Sequence, residues 1–361
     1  MSNPLSYFTK NFNQAHLGID IGTTSIKMVE VKSGGKMPRV VNYGMLESSG
    51  YLARANQALQ TSGLKIFEAG AMELLKALIK TTGTTTTDVV ASIPPFEVFT
   101  SLLDFPAMDP KEIQQAIIYQ ARQYVPIPLE EVALDWMKVA DYVDDRGFAH
   151  QKILLISVPQ EAIKRYQRIF QGAGLTLRAL ELESLSLARM LGGDPTSSII
   201  VDIGSRSTNI VFLEKGVMAW GAQSDFAAAS LTQALATSLG INPLRAEELK
   251  KERGVLGAGP NYEMASVMTP FLDAIINEVK KAQYGYIQQF SAATKAERIV
   301  LAGGGANLLG AEKYFEREFA IPVVKAAPFA RFEYEKNIAP FIPELNPLLA
   351  VALGLGMKES A

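Results

Sequence analysis

Two stretches of this chain repeat one another, half a chain apart. Leu17–Val31 reads LGIDIGTTSIKMVEV and Ile199–Leu213 reads IIVDIGSRSTNIVFL. With Asp20 laid on Asp202, Gly22 falls on Gly204, Thr23 on Ser205, Ser25 on Ser207 and Val29 on Val211. Each copy is a short apolar run ending in Asp, a turn of Gly and small hydroxyl residues, and a second β-rich run. That is the pattern of a β-hairpin with a small polar tip. One copy would be an ordinary hairpin. Two copies, each opening half of the chain, predict a duplication of an α/β unit.

Composition narrows the class. The chain has 361 residues with 35 Lys+Arg against 37 Asp+Glu, a net charge of −2. With 48% hydrophobic residues it has enough apolar side chain to offset ordering entropy, and its length predicts two domains or more. The near-neutral balance argues against a protein that coats nucleic acid. There is no Cys, and His16 and His150 are the only histidines. Disulfides, thiol catalysis, thiolate metal sites, His triads and multi-His centres are thereby set aside. No apolar run approaches the ~20 residues of a membrane span. Met1–His16 is polar without an apolar core, so no signal peptide is expected, and membrane association is expected through a partner.

Between and after the repeats the sequence alternates helical and extended patterns. Ala53–Thr82 predicts a helix, Thr81–Thr87 a polar break, and Asp88–Ala91 a strand that continues to Pro106. Asp109-Pro110 is an N-cap followed by proline and opens a helix ended by Pro126 and Pro128. Strands at Leu134–Val139 and Ile153–Val158 and a helix at Gln160–Gly172 complete a β-α-β-β-α module over roughly 84–175. Helices are expected at Phe226–Leu239, Pro243–Arg253 and Ala265–Phe290, a buried strand at Arg298–Ala302, and a small-residue apolar helix at Pro347–Met357.

Each hairpin places a carboxylate at a strand end beside a turn whose backbone N–H groups can cradle phosphate. Two facing aspartates, Asp20 and Asp202, suit Mg²⁺, a hard ion that keeps much of its water. The alternative for either is a turn aspartate bonding its own backbone. Lys27, across the first turn, can meet a phosphate charge or stand exposed. Gly303-Gly304-Gly305 follows a buried strand and fits either the close approach of a flat ligand or a sharp turn. The chain has no G-K-[ST] and no G-x-G-x-x-G, so P-loop and Rossmann sites are disfavoured.

The order of these segments resembles the actin-like ATPase superfamily. Leu17–Val31, Glu183–Gly192, Ile199–Leu213, Ile299–Gly310 and Pro347–Met357 occupy the places of the first phosphate loop, first connecting helix, second phosphate loop, adenosine motif and second connecting helix. Within it the chain is similar to the FtsA-like branch and its PilM family of type IV pilus assembly proteins. Ala121–Asp135 (ARQYVPIPLEEVALD), the inserted module, and the run Ala246-Glu247-Glu248-Leu249-Lys250 with Gly254 carry that likeness.

The resemblance implies two duplicated ribonuclease-H-like lobes with an inserted FtsA-type β-α-β-β-α subdomain. The first lobe would be 1–84 with 176–197 and 336–361, the insertion 85–175, and the second lobe 198–335, in which 231–294 is the nucleotide-side subdomain. It implies ATP and Mg²⁺ between the lobes. Asp20 and Asp202 would hold the metal's water shell. Gly22, Thr23, Thr24 and Lys27 would meet the phosphates, with Gly204, Ser205 and Thr208 opposite. Glu247, Lys250, Gly303, Gly304, Gly305 and Asn307 would lie on the nucleoside side. Glu183, opening the first connecting helix, would orient the attacking water, with Glu181 as its competitor. Arg206, where chaperone-type loops carry glycine, implies hydrolysis that is slow at most.

The implied role is a cytoplasmic component of the pilus inner-membrane platform, peripheral to the membrane. It would bind the N-terminal cytoplasmic tail of a PilN-like protein where the insertion meets the first lobe, in a nucleotide-sensitive way. Other platform or motor components and self-association are further expected contacts, and nucleic acid is not. A small-molecule kinase would need an extra catalytic Asp, for which Asp225 lacks context. An FtsA-like division scaffold would favour a C-terminal amphipathic helix, whereas the sequence runs from the apolar helix straight to Met357–Ala361.

Overall fold

The computed structural model describes residues 15–47, 68–255, 262–289 and 295–358. The first repeat forms the hairpin β1 (Ala15–Ile21) and β2 (Ser25–Lys32), followed by β3 (Arg39–Glu47), α1 (Glu68–Thr82) and β4 (Asp88–Ile93). Then come β5 (Phe99–Pro106), α2 (Pro110–Tyr124), β6 (Val132–Val143), β7 (Ala149–Pro159), α3 (Gln160–Gly172), β8 (Thr176–Leu182) and α4 (Glu183–Met190). The second repeat forms β9 (Ser198–Ile203) and β10 (Thr208–Glu214), followed by β11 (Val217–Ser224), α5 (Ala228–Leu239), α6 (Pro243–Arg253) and α7 (Tyr262–Gln289). The chain continues through β12 (Arg298–Ala302), α8 (Ala311–Phe319), β13 (Val323–Lys325), α9 (Ile342–Leu348) and α10 (Ala350–Gly356).

The duplication extends from the hairpins to whole sheets. The first sheet runs β3-β2-β1-β4-β8 and the second β11-β10-β9-β12-β13. In both, the three leading strands pair antiparallel and the last two join parallel. The hairpin turns close alike, Gly22 N–H donating to the Ser25 carbonyl at 2.9 Å and Gly204 N–H to the Ser207 carbonyl at 3.0 Å. Alternation along β9 divides its buried side chains between two cores. Ile200 joins the core of the first lobe, while Ile199, Val201 and Ile203 pack with α5, α7 and α8.

Helices α4 and α10 cross between the sheets, and small residues let them approach. A Cβ on Gly354 would stand 2.1 Å from the Ser186 carbonyl oxygen, and one on Gly18 of β1 2.2 Å from that of Ala352. The expected single helix Pro347–Met357 is instead divided between α9 and α10, and the segment Lys336–Leu348 is bent by 95° from α10.

Within 85–175, part of the chain forms a sheet of its own and part packs with the first lobe. β5, β7 and β6 form their own three-stranded sheet, with α2 packed on it through Ile113, Ile117 and Ala121. The strand expected to run from Asp88 to Pro106 is broken at Pro94-Pro95, where a 3₁₀ turn (Pro95–Glu97) leads from β4 in the first-lobe sheet to β5 in the inserted one. Helix α3 packs its apolar face, Ala162, Tyr166, Ile169 and Phe170, into the core of the first lobe. Asp109 caps α2 as expected, accepting from the N–H groups of Lys111 and Glu112. Of the helix expected over 53–82, the part before Glu68 lies outside the described residues.

Candidate functional site

The two hairpin tips face one cavity of about 590 Å³. Strand register places Asp20 opposite Lys27 and, at the matching positions of the second copy, Asp202 opposite Asn209. The first lobe thus contributes a cation where the second contributes a neutral amide. Lys27 Nζ lies 3.4 Å from Asp20 Oδ2, and Ser92 Oγ, on β4, donates to Asp20 Oδ1 at 2.8 Å. Asn209 Nδ2 donates to Ser184 Oγ at 3.1 Å, next to Glu183 at the start of α4. Asn209 and Ser92 carry no local motif. Asn209 is marked only as the repeat counterpart of Lys27.

The electrostatics are unbalanced. Burial, then Asp20 and Asp202, push the Glu183 carboxyl well above the ordinary range against the pull of Lys27. Burial, and the charge of Asp20, lift Asp202 to about 6, again against Lys27. Burial alone would lower Lys27, but Asp20, Asp202 and Glu183 outweigh it and hold the ammonium above its usual value. Three carboxylates share one close cation, an arrangement that a divalent ion with an anionic ligand would relieve.

Most of the residues singled out in the sequence line this cavity. They include Gly22, Thr23 and Thr24 on one tip, Gly204 and Ser205 on the other, and Glu247, Lys250, Gly304, Gly305 and Asn307 farther along. Two do not. Thr208 is fully buried and its hydroxyl donates to the Phe226 carbonyl at 2.7 Å, so its work is to fix the turn. Gly303, at φ 78°, packs on Asp202, where a Cβ would stand 2.5 Å from Oδ1. Lys250 borders the cavity but its ammonium is engaged, 2.6 Å from Glu247, 2.8 Å from Thr232 Oγ1 and 3.3 Å from the Ala228 carbonyl. It therefore orders Glu247 and α5.

Glu181, the competitor of Glu183, is fully occupied. Arg189 grips both its oxygens at 2.6 and 2.7 Å, Lys358 approaches to 2.6 Å, and Ser186 donates at 3.0 Å. Burial would raise its carboxyl, but Lys358 and Arg189 bring it down to about 2. Glu183 faces the cavity. Asp225 is exposed, and neither it nor Arg206 is among the cavity-lining residues.

Two like-ordered sheets joined by crossed helices over a shared cleft define the class, the actin-like ATPase fold. Solved structures share it. The ethanolamine utilization protein EutJ from Carboxydothermus hydrogenoformans superposes with a TM-score of 0.58 at 19% identity, covering 96% of this chain and 90% of that one. MreB5 of Spiroplasma citri bound to ADP gives 0.51 at 14% identity, covering 95% of each. A PilM–PilN type IV pilus biogenesis complex gives 0.79 at 22% identity, covering 96% of this chain and 98% of that one. The family model described as type IV pilus assembly protein PilM matches residues 18–360. The chain belongs to the PilM family and is a type IV pilus assembly component with an actin-like fold.

Proposed function

We propose that this chain binds Mg²⁺–ATP between its lobes and, in a manner that depends on that nucleotide, holds the cytoplasmic N-terminal tail of a PilN-like inner-membrane protein. The observation that carries the nucleotide half is the duplicated hairpin pair. It sets two turns rich in backbone donors, Lys27, and an excess of carboxylate around one cavity. Polyphosphate suits the turns and Lys27. Mg²⁺ suits Asp20 and Asp202, which are placed to bond the ion's water. Gly22, Thr23, Thr24 and Lys27 take the phosphates from one lobe, and Gly204 and Ser205 from the other. Gly304, Gly305, Asn307 and Glu247 serve the nucleoside. Glu183 is the group placed to orient water for slow hydrolysis, because Glu181 is tied to Arg189 and Lys358.

The partner half is supported by the solved PilM–PilN complex, one chain of which this one matches over nearly its whole length. The tail's place is the groove where the inserted sheet meets the first lobe. Among the described residues no single helix is long and apolar enough to cross a membrane, which fits attachment through the partner. We divide the chain into a first lobe of 1–84 with 176–197 and 336–361, an insertion of 85–175 whose β4 and α3 pack in that lobe, and a second lobe of 198–335.

A fluorescent tail peptide titrated with the protein tests the coupling. The expected result is an affinity that differs at least about fivefold between Mg²⁺–ATP and nucleotide-free protein. Equal affinities would remove the nucleotide-sensitive part of the proposal.

A further inference from the structure

The inserted sheet is joined to the first lobe at two crossings. The outgoing chain leaves β4 through the turn Pro95–Glu97 and enters β5. The returning chain runs from β7 directly into α3 without a loop. An ion pair between Glu97 and Arg165 ties the crossings together, and Glu97 is 8% exposed. The Arg165 guanidinium lies over the Tyr166 ring at 5.5 Å. Glu97, Arg165 and Tyr166 all line the central cavity. The hinge of the insertion is therefore also part of the cavity wall.

Tyr166 is 3% exposed, yet its hydroxyl makes no hydrogen bond to another described residue. The hydroxyl opens on the cavity, so its donor is available to a ligand bound there. Asp20 does not supply the acceptor, since one of its oxygens accepts from Ser92 and the other from Lys27. Burial, Glu97 and Glu183 hold the phenol well above its usual pKa, which keeps it a donor. Ser92, which donates to Asp20, and Ile93, which pairs with Leu182 beside Glu183, stand just before the turn Pro95–Glu97, so the hinge lies at the Asp20 and Glu183 end of the cavity.

We propose that Tyr166 donates a hydrogen bond to the terminal phosphoryl group of the bound nucleoside triphosphate, making the hinge of the insertion the reader of that group. The proposal rests on the nucleotide reading of the cavity. A diphosphate would leave the hydroxyl without its acceptor and the hinge without that tether.

The test is calorimetric binding of a Mg²⁺-bound non-hydrolysable ATP analogue and of Mg²⁺–ADP to the wild type and to Tyr166→Phe, which keeps the ring and its packing. The triphosphate affinity should fall about tenfold, as for loss of a hydrogen bond to a charged group. The diphosphate affinity and the thermal midpoint should stay unchanged. Hydrogen exchange supplies a second reading. The triphosphate should slow amide exchange over 157–168 in the wild type and not in the variant. Equal losses for both nucleotides, or no loss, would overturn the assignment of Tyr166 while leaving nucleotide binding intact. A wild type that binds neither nucleotide would overturn the reading of the cavity and this proposal with it.

Discussion

Asp202 sits where its own ionisation works against the fold. Its carboxyl is lifted to about 6, so between pH 4 and 6 the native form holds a proton that the unfolded chain releases. Its contribution to stability therefore falls as pH rises through that window and stays low above it. Asp202→Asn should raise the thermal midpoint of the nucleotide-free protein by about 2–4 °C at pH 8 and barely at pH 4. Melts across pH check this, and an unchanged midpoint at pH 8 would contradict it. Glu181 has the opposite sign. Held down at about 2, it stabilises above its ordinary range, and that contribution is lost as pH falls toward 2. Glu181→Gln leaves Arg189 and Lys358 without their shared anion and should cost about 3 kcal/mol in urea denaturation. Glu183→Ala should leave ATP affinity nearly intact and lower any hydrolysis by ~10²–10⁴-fold in single-turnover assays. Hydrolysis unchanged by this substitution would reduce Glu183 to a helix-opening residue favoured by the dipole.

At the scale of elements, legibility followed the range of the forces involved. The bounds of α6 are written in Asn242, Pro243 and Gly254, a side-chain cap, a first-turn proline and a positive-φ stop. β12 is written in an apolar run ended by glycines. Sheet membership is not written locally. β4 and β5 read as one strand because the choice between sheets rests on tertiary pairing, although Pro94-Pro95 marked the break. The bend between α9 and α10 was hidden for the same reason. A small-residue apolar run reads as one helix until packing on β1 and α4 divides it. That packing is tight enough to test. Gly18→Ala puts a methyl group 2.2 Å from the Ala352 oxygen, where backbone must move, and should cost about 3 kcal/mol, read as a lowered urea midpoint. A neutral substitution would mean that α10 is less closely seated on β1.

At the scale of the molecule, a duplicated unit supplies two similar walls, and the differences between the copies make the cavity directional. Lys27 of one copy is Asn209 in the other, and the insertion interrupts only the first copy. The repeat made both aspartates, both turns and the two-lobed plan legible. The hinge groups Glu97, Arg165 and Tyr166 were not, because they come together only when the chain returns from the inserted sheet. Phe99 pairs with Ser157, so the ends of the insertion are neighbours, and 99–159 can be replaced by a linker of about three residues. That deletion should leave ATP binding in place and abolish binding of the tail peptide. Retained peptide binding would move the partner's groove elsewhere.

The central claim is that the duplicated aspartates hold a magnesium nucleotide between the lobes. Isothermal titration of ATP into the wild type, Asp20→Ala and Asp202→Ala, with and without Mg²⁺, tests it most directly. The account predicts Mg²⁺-dependent binding by the wild type and an affinity at least about tenfold weaker in each variant when Mg²⁺ is present. An ATP affinity in both variants equal to that of the wild type with Mg²⁺ present would contradict it.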